Sequence, residues 1–240
     1  GADGFGDAAN WRACLYSFGS YLMAFTDNGA TGMEIWTWDG SAWTQRMSDG
    51  IDGDPGNSLS ECPPGQSFTE FNGYLYVSTN NAVSGTELWR SSDGVNWNRA
   101  NDDGFGDAMN TASHMVEFNG DLYAVTGNRA TGFEVWRSGD GTSWRKIGDD
   151  GFGDVNNNCG RGGLRIFRDE LYFTTFNPVV GVRVWRSSDG DTWNQVGSNG
   201  FGDPNNQDGL STVAGDWLYV GTFNWATGAE VWRSGDGASW

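Results

Sequence analysis

Short stretches of alternating apolar and polar residues recur along this chain at a nearly constant interval. The clearest copy runs from Phe133 to Trp144 and reads F-E-V-W-R-S-G-D-G-T-S-W, with an E-x-W-R core. The core tryptophan recurs at Trp36, Trp89, Trp136, Trp185 and Trp232, at intervals of 53, 47, 49 and 47 residues. A fixed period of this size is the mark of a repeat architecture. We therefore divide the chain into five repeats: 1–48, 49–101, 102–148, 149–197 and 198–240.

The apolar and polar alternation within the third repeat predicts four short antiparallel strands. Asn119-Gly120 and Asp140-Gly141 mark two tight turns, because Asn, Asp and Gly tolerate the positive φ that such turns need. The predicted strands are His114 to Phe118, Leu122 to Thr126, Phe133 to Ser138 and Trp144 to Ile147. The other repeats divide in the same way, and no segment has the length and apolar period of a helix. The pattern therefore predicts an all-β fold.

Four-stranded repeats of this length are typical of the blades of a β-propeller. The sequence therefore predicts a single domain, residues 1–240, built from five four-stranded antiparallel blades. Trp240 stands at the start of a fourth strand, and the chain begins with residues that follow this strand in other repeats. We expect a closed ring whose last strand is truncated or supplied from outside the chain. A head-to-tail or homo-oligomeric assembly of several chains is the alternative.

Composition narrows the range of partners. The 14 Trp and 14 Phe residues are expected to form the core, because each aromatic side chain buries a large area. The 31 acidic and 14 basic residues give a formal charge of −17, which repels phosphate backbones and anionic membranes. No stretch is apolar enough to span a bilayer. We expect no nucleic-acid partner and no membrane insertion, which leaves cations, neutral sugars and basic protein surfaces.

The three cysteines match no metal-site spacing such as C-x-x-C. Cys14 and Cys62 occupy roughly equivalent places in the first two repeats. This placement predicts a disulfide between neighbouring repeats, with Cys159 left over. We expect the protein to be extracellular, either secreted or at the cell surface.

A turn motif recurs in four of the five repeats. It reads S-S-D-G-V-N-W from Ser91 to Trp97 and starts again at Ser138, Ser187 and Ser234. This S-x-D-G-x-x-W pattern resembles the Asp-box, S-x-D-x-G-x-x-W, of sialidases and related bacterial-neuraminidase-repeat propellers, but it is one residue shorter. The resemblance implies a structural turn between the third and fourth strands, away from any catalytic face. Its Asp would bind turn amides, and its Trp would pack between blades.

Two further motifs fall in predicted loops, and propeller topology places both on one face. The first is the connector D-G-F-G-D-x-x-N between repeats, in which the glycines free the backbone around an anchored Phe. The second is N-x-x-x-G between the second and third strands, where a constant frame carries varying neighbours. The predicted ligand-binding residues are Asn81, Asn128, Asn177, Asn224, Phe176, Phe223, Trp225, Asp107, Asn110, Asp154, Asn157, Asp203 and Asn206. The alternative is that both motifs are structural loops.

The connector of the second repeat departs from this pattern and is dense in carboxylates. Asp49, Asp52 and Asp54 follow one another closely within it. Calcium takes six to eight oxygen ligands, and loops rich in Asp, Asn and Gly supply them. Ca²⁺ is therefore the candidate metal at these three residues, and a structural connector is the alternative.

The Glu and Arg of the E-x-W-R core stand three residues apart and are predicted to pair with neighbouring repeats. Such pairing would give a ring of charge-assisted hydrogen bonds. The residues concerned are Glu34, Glu87, Glu134 and Glu230, with Arg90, Arg137, Arg186 and Arg233.

Three functions remain open. A non-enzymatic, lectin-like protein is favoured, because equivalent shallow sites in every repeat would bind glycans or glycoproteins with avidity. A structural or adhesive self-assembling module is one alternative, and a sialidase-like glycoside hydrolase is the other. A hydrolase needs paired carboxylates, but Glu70 and Glu117 occupy equivalent places and are interpreted as repeat features. Arg161 and Arg165 are singular, and His114 is expected to be packed rather than catalytic.

Overall fold

The computed structural model describes residues 3–47, 49–59 and 67–240. Over these ranges the chain forms five antiparallel sheets, with helix limited to short single turns. The all-β prediction is confirmed. None of the helices in these ranges is long or apolar enough to cross a membrane. The chain divides into two compact units, unit one being Gly1–Ser113 with Gly139–Trp144 and unit two being His114–Ser138 with Arg145–Trp240.

Unit one contains two sheets, each built from strands in chain order. The first consists of β1 (Asn10–Phe18), β2 (Tyr21–Asn28), β3 (Glu34–Trp38) and β4 (Trp43–Met47). The second consists of β5 (Ser58–Leu59), β6 (Phe68–Phe71), β7 (Tyr74–Asn80), β8 (Leu88–Ser91) and β9 (Asn98–Arg99). Both β5 and β6 pair with β7, so two short strands stand where the other sheets have one. One helical turn, α1 (Gly50–Gly53), lies in the connector that departs from the repeat pattern.

Unit two contains two four-stranded sheets and one three-stranded sheet. The first comprises β10 (Ala112–Phe118), β11 (Asp121–Gly127), β12 (Val135–Ser138) and β13 (Arg145–Ile147), although the first two residues of β10 fall in unit one. The second comprises β14 (Asn158–Phe167), β15 (Glu170–Phe176), β16 (Val184–Ser187) and β17 (Asn194–Val196). The third comprises β18 (Asp208–Ala214), β19 (Trp217–Phe223) and β20 (Val231–Ser234).

The predicted turn chemistry is confirmed between these strands. Asn119 and Gly120 have φ values of 52° and 81°, the left-handed angles that a two-residue hairpin turn requires. In the Asp-box-like turn, Asp93 Oδ1 accepts the amide hydrogens of Val95 and Asn96, both at 2.8 Å. The hydrogen bond from the Asn96 backbone amide, followed by those from the Asn96 side chain and the Val95 backbone, holds the pKa of Asp93 well below its usual range. The motif is therefore a structural turn.

Four connectors, three reading D-G-F-G and one reading N-G-F-G, form single 3-10 turns in which the phenylalanine itself is left-handed. They are Asp3–Gly6, Asp103–Gly106, Asp150–Gly153 and Asn199–Gly202. Phe152, for example, has a φ of 50°, and the flanking Gly151 and Gly153 also have positive φ, 57° and 85°, as the sequence suggested for the glycines. This conformation costs a non-glycine residue roughly 1–2 kcal/mol. The ring offsets it by packing 4.8 Å from Trp185 and 5.9 Å from Trp193, between centroids.

Aromatic side chains form the core of each unit, as composition predicted. In unit one, Phe25 of the first repeat is fully buried and lies 4.6 Å from Phe68 of the second, between ring centroids. Trp97, from the Asp-box-like turn, meets Phe25 edge-on at 6.1 Å. In unit two, Phe133 and Phe173 meet at 4.8 Å. Consecutive repeats within a unit are thus joined through rings.

The predicted pairing of the E-x-W-R core with neighbouring repeats is confirmed for Arg137 and wrong for Glu134. Glu134 Oε2 accepts a hydrogen bond from Trp136 Nε1 at 3.0 Å, and Lys146 Nζ donates to its other oxygen at 3.2 Å. Arg137 binds Asp121 of its own repeat at 2.9 Å and Asp191 of the next repeat at 2.6 Å. Side chains two apart share one side of a strand, whereas side chains three apart lie on opposite sides. The glutamate therefore orients its own tryptophan.

The cysteine prediction is tested only for the residues that the structure describes. Cys14 is disulfide-bonded, and Cys159 keeps its thiol. The predicted partner, Cys62, lies outside the described residues.

Candidate functional site

The N-x-x-x-G loops and the connectors meet, as topology predicted, and their asparagines bind one another. In unit one, Asn81 Nδ2 donates to Asn57 Oδ1 at 3.0 Å and to Asp54 Oδ2 at 2.9 Å. Asn81 Oδ1 accepts the amide hydrogens of Val83 and Ser84 at 2.9 and 3.0 Å. Asn81 and Asn57 are fully buried. The Asn81 side chain is therefore bound on both of its polar atoms within the protein.

Unit two repeats this arrangement twice. Asn177 donates to Asn157 at 2.7 Å and to Asp154 at 3.3 Å. The corresponding bonds from Asn224 reach Asn206 and Asp203, both at 3.0 Å. The connector asparagine in turn donates to the carbonyl of the first glycine of its turn, as Asn157 does to Gly151 at 2.8 Å. Asn110 and Asn128 are also fully buried, and Asp107 is half-buried.

The aromatic members of the predicted ligand set differ in exposure. Phe176 and Phe223 are half-buried at the ends of β15 and β19, whereas Trp225 is 90% exposed. Internal hydrogen bonds give the asparagines and aspartates of the set a structural role. A ligand-binding role for these residues stays a prediction.

The three carboxylates proposed for calcium do not form a ligand cluster. Asp54 is bound by the Gly56 amide at 2.8 Å and by Asn81, while Asp52 lies 3.8 Å from Arg99. Over residues 3–47, 49–59 and 67–240, no group of three or more His, Cys, Asp or Glu side chains is placed to hold a metal ion. Asp49, the remaining member, precedes α1. A calcium-binding role for these three residues stays a prediction.

A cavity of about 760 Å³ opens beside the asparagine network of unit one. It is lined by Ser84, Arg99, Asn101, Asp102, Asp103, Gly106 and Ala108. Arg99 binds the buried carboxylate of Glu87 at 2.8 Å and also binds Asp103. Because the guanidinium is already neutralised, the cavity offers hydrogen bonds rather than net positive charge.

A tyrosine and a glutamate from consecutive repeats form a hydrogen-bonded pair in unit one. Tyr16, on β1, donates its hydroxyl to Glu70 Oε1, on β6, at 3.1 Å. Tyr16 is half-buried and stacks on Phe68 at 5.8 Å, whereas Glu70 is exposed. Burial first, and then the Glu70 charge and hydrogen bond, raise the pKa of Tyr16 to about 12. The pair therefore joins a protonated phenol to a carboxyl group that is open to solvent.

The structure separates Glu70 from Glu117, which the sequence treated as equivalent. Glu117 Oε1 accepts the Gly120 amide at 2.9 Å, so this residue closes its own hairpin turn. Tyr16 was not among the predicted site residues. The strand pairing contained a signal for this residue. Tyr16 occupies the position that Thr69, Arg165 and Thr212 occupy in three of the other repeats. Variation at one repeat position marks a residue that the common fold does not require.

His114 is packed in unit two, as predicted, with 6% of its surface exposed. Its Nδ1 lies 3.4 Å from the Cys159 sulfur. Burial, reinforced by the positive charge of Arg165, lowers the pKa of His114 to about 4. Arg165 itself donates to the carbonyl of Ser211 at 3.0 Å, and Arg161 lies on the same strand, β14. The histidine is therefore neutral at physiological pH and does not form an ion pair with the thiol.

We expect acid to destabilise the protein through His114. Its folded pKa of about 4 lies below the ordinary value of 6.5, so the unfolded chain binds the proton more tightly. The stabilising contribution is complete above pH 6.5 and is lost as the pH falls to 4, on the order of 3 kcal/mol over that range. Urea unfolding at several pH values would show a shallower acid slope for His114→Gln. Identical slopes in this window would contradict the assignment.

Comparison with known proteins identifies a fold but no family. No family model and no curated protein matches the chain. A solved prolyl endopeptidase aligns with a TM-score of 0.60 and 14% identity, over 94% of this chain and 34% of its own. The Trypanosoma rangeli sialidase, solved with 2,3-difluorosialic acid, aligns with a TM-score of 0.52 and 12% identity, over 93% of this chain and 46% of its own. The chain thus spans about a third of the prolyl endopeptidase and under half of the sialidase.

These neighbours support the β-propeller class and contradict the favoured functional prediction. Both neighbours described above, the prolyl endopeptidase and the sialidase, are enzymes. The predictions of a non-enzymatic, lectin-like protein and of no enzymatic activity are therefore corrected. The neighbours are enzymes, and at these identities they share the fold with this chain.

Proposed function

We propose that this protein is a glycoside hydrolase of sialidase-like type, with Tyr16 as the nucleophile and Glu70 as its base. The observation that carries the proposal is the 3.1 Å hydrogen bond from the Tyr16 hydroxyl to Glu70. Most glycoside hydrolases use two carboxyl groups, whereas sialidases use a tyrosine nucleophile. A tyrosine that shares its proton with a carboxylate at the surface is the arrangement such a nucleophile needs.

The raised pKa of Tyr16 decides when its proton moves. With a pKa of about 12, the phenol stays protonated at neutral pH, so a free phenolate is not the attacking species. Glu70 accepts the proton while the phenol oxygen forms a bond to the anomeric carbon and the bond to the leaving group breaks. In the second step a water oxygen attacks the same carbon and releases its proton to solvent, while the bond to Tyr16 breaks and Glu70 returns its proton to the phenol oxygen. Proton transfer and attack are thus coupled.

A glycan is the proposed class of substrate. The sialidase neighbour supports a carbohydrate partner, and its printed ligand does not identify which one.

We further propose that the five sheets are the blades of one five-bladed propeller and that the protein works outside the cell. The shared strand register and the loop contacts repeated in each unit support the first point. The disulfide at Cys14 supports the second, because disulfides persist in oxidising compartments.

Tyr16→Phe is expected to lower kcat/KM about 1,000-fold, and Glu70→Gln about 100-fold, because each removes one partner of the attack. The assay is release of 4-methylumbelliferone from a panel of aryl sialosides, arabinosides and hexosides. An aryl leaving group departs without protonation, so the assay reports the Tyr16–Glu70 pair alone.

Glu117→Gln is the matched control for this experiment. Glu117 occupies the equivalent position in another repeat, is exposed, and caps a turn. Its substitution should leave hydrolysis unchanged. The proposal fails if the wild-type protein cleaves none of the panel, or if Glu117→Gln loses as much activity as Glu70→Gln.

A further inference from the structure

In the fourth repeat an arginine occupies the position that a glutamate occupies in the other four. Arg183 stands at the first position of the E-x-W-R core. Its backbone setting is that of Glu134 in the third repeat, because a threonine hydroxyl accepts the amide hydrogen of each residue at 3.1 Å. The two side chains therefore leave the backbone at equivalent points. They differ in chemistry, because a carboxylate accepts hydrogen bonds whereas a guanidinium only donates them.

The exchange removes the hydrogen-bond acceptor of the core tryptophan. In the other four repeats the glutamate accepts from the indole Nε1 of its tryptophan at 2.9 or 3.0 Å. The corresponding Trp185 is 9% exposed, and its ring packs 4.8 Å from Phe152 between centroids. Within the part of the chain that the structure describes, neither Trp185 Nε1 nor Arg183 Nε has a hydrogen-bond partner, although both atoms are buried. Two donors on one side of the same extended segment thus lack an acceptor.

Two neighbouring positions differ together with the arginine. In the third repeat, Lys146 on the fourth strand binds Glu134 at 3.2 Å and Asp150 of the connector at 2.6 Å. In the fourth repeat the strand pairing places Gln195 at the lysine position, and Gln195 donates to Asn199 of the connector at 2.6 Å. Together with the glutamate or arginine, these positions carry one net negative charge in the third repeat and one net positive charge in the fourth. In a chain of formal charge −17, this local positive charge favours an anion.

One carboxylate already contacts the arginine without saturating it. Arg183 Nη2 lies 3.0 Å from Asp154 Oδ2, and this oxygen also accepts from Asn177 at 3.3 Å. The connector before the third repeat carries the equivalent acid, Asp107, so Asp154 does not cancel the charge difference between the two repeats. A guanidinium has five N–H donors, and one shared carboxylate oxygen leaves Nε unpartnered. The arginine can therefore bind a second acceptor.

We propose that Arg183 and Trp185 form a binding site for a small carboxylate ion, which takes the place of the glutamate carboxylate of the other repeats. One oxygen of the ion accepts from Trp185 Nε1, as Glu134 Oε2 accepts from Trp136, and the other accepts from Arg183 Nε in a charge-assisted bond. The Arg183 side chain is 15% exposed and the neighbouring Gln195 is exposed, so a small ion reaches the donors from solvent. The site lies within unit two and does not depend on the proposed hydrolase activity.

The test is a titration with sodium formate, followed through the indole N–H signals of the tryptophans by proton–nitrogen correlation NMR. We expect the Trp185 signal to move and to saturate at millimolar formate. The Trp136 signal is the internal control and should not move, because Glu134 already accepts its hydrogen bond. Sodium chloride at equal ionic strength should bind about 10-fold more weakly, because a single spherical ion cannot offer one oxygen to each donor. Equal affinity for chloride would overturn the assignment to a carboxylate.

Arg183→Glu is the matched variant, because it restores the residue of the other four repeats. It should shift the Trp185 signal in the absence of formate and abolish the titration. Adding Gln195→Lys reproduces all but the connector residue of the third repeat and serves as a second variant if the single change unfolds the protein. Arg183→Gln should weaken formate binding about 10-fold or more, because it removes the charge. A Trp185 signal that ignores formate in the unmodified protein, or a titration that survives Arg183→Glu, would overturn the proposal.

Discussion

Gly190→Ala is expected to lower the free energy of unfolding by about 5 kcal/mol. Gly190 lies in an Asp-box-like turn with a φ of +75°, and an added Cβ would lie 2.6 Å from Cε1 of Tyr123 and closer still to its phenol oxygen. Tyr123 is 1% exposed and has no room to move. Left-handed strain of roughly 1–2 kcal/mol adds to overpacking of roughly 1–3 kcal/mol or more. Urea unfolding followed by tryptophan fluorescence measures the loss.

Gly153→Ala is the control that separates strain from overlap. Gly153 is also in unit two and has a φ of +85°, but an added Cβ would meet nothing within 4 Å. It should cost about 1–2 kcal/mol, the strain contribution alone. If the two alanine variants lose equal stability, the close approach of Gly190 to Tyr123 is not what holds this turn.

The same contact recurs between consecutive repeats within each unit. A Cβ on Gly141 would overlap Tyr76 in unit one, and a Cβ on Gly237 would overlap Tyr172 in unit two. The Asp-box-like turn therefore does more than reverse the chain. In three of the four copies the glycine accepts the second-strand tyrosine of the preceding repeat, whereas Gly94 faces Met23 at 3.5 Å.

Local patterns were enough to predict the strands and turns of this chain. The third-repeat strands were placed within two residues of β10, β11, β12 and β13, because alternation and the Asn-Gly and Asp-Gly pairs act locally. Contacts between repeats were harder to predict from the sequence. The sequence gives no register between one repeat and the next, so neither the approach of Gly190 to Tyr123 nor the hydrogen bond of Tyr16 to Glu70 was predicted.

Treating every repeated residue as equivalent also hid the candidate active site. Glu70 and Glu117 occupy matching positions, yet their surroundings differ because Tyr16 stands beside Glu70. The informative signal was the non-repeated neighbour rather than the repeated acid. A comparable departure affects Trp185: Arg183 replaces the usual Glu, and the buried Trp185 Nε1 has no hydrogen-bond partner.

The buried asparagines are the second place where a single change should be costly. Asn57 is fully buried and links three parts of unit one. Its Nδ2 donates to the Gly50 carbonyl at 3.0 Å and to Glu87 at 2.8 Å, and its Oδ1 accepts from Asn81. Burial raises the pKa of Glu87, and the hydrogen bond from Trp89 opposes this shift. The charged form of Glu87 therefore depends on the hydrogen-bond donors around it.

Asn57→Ala is therefore expected to destabilise the protein by about 4 kcal/mol. The change leaves the Gly50 carbonyl, one Asn81 donor and the Glu87 carboxylate each short of a partner, at roughly 1–3 kcal/mol for each buried group that finds no replacement. It should also raise the pKa of Glu87 further, so the loss should be larger at pH 7 than at pH 4. Urea unfolding at both pH values tests both expectations.

Asn96→Ala provides the comparison, because Asn96 is exposed and its amide binds only Asp93 of its own turn, at 2.7 Å. Its loss should be under about 1 kcal/mol and nearly independent of pH. A similar small loss for Asn57→Ala would mean that water enters and replaces the missing bonds. The asparagine network would then be a hydrated loop contact, and the loop face would be open to ligands that displace this water.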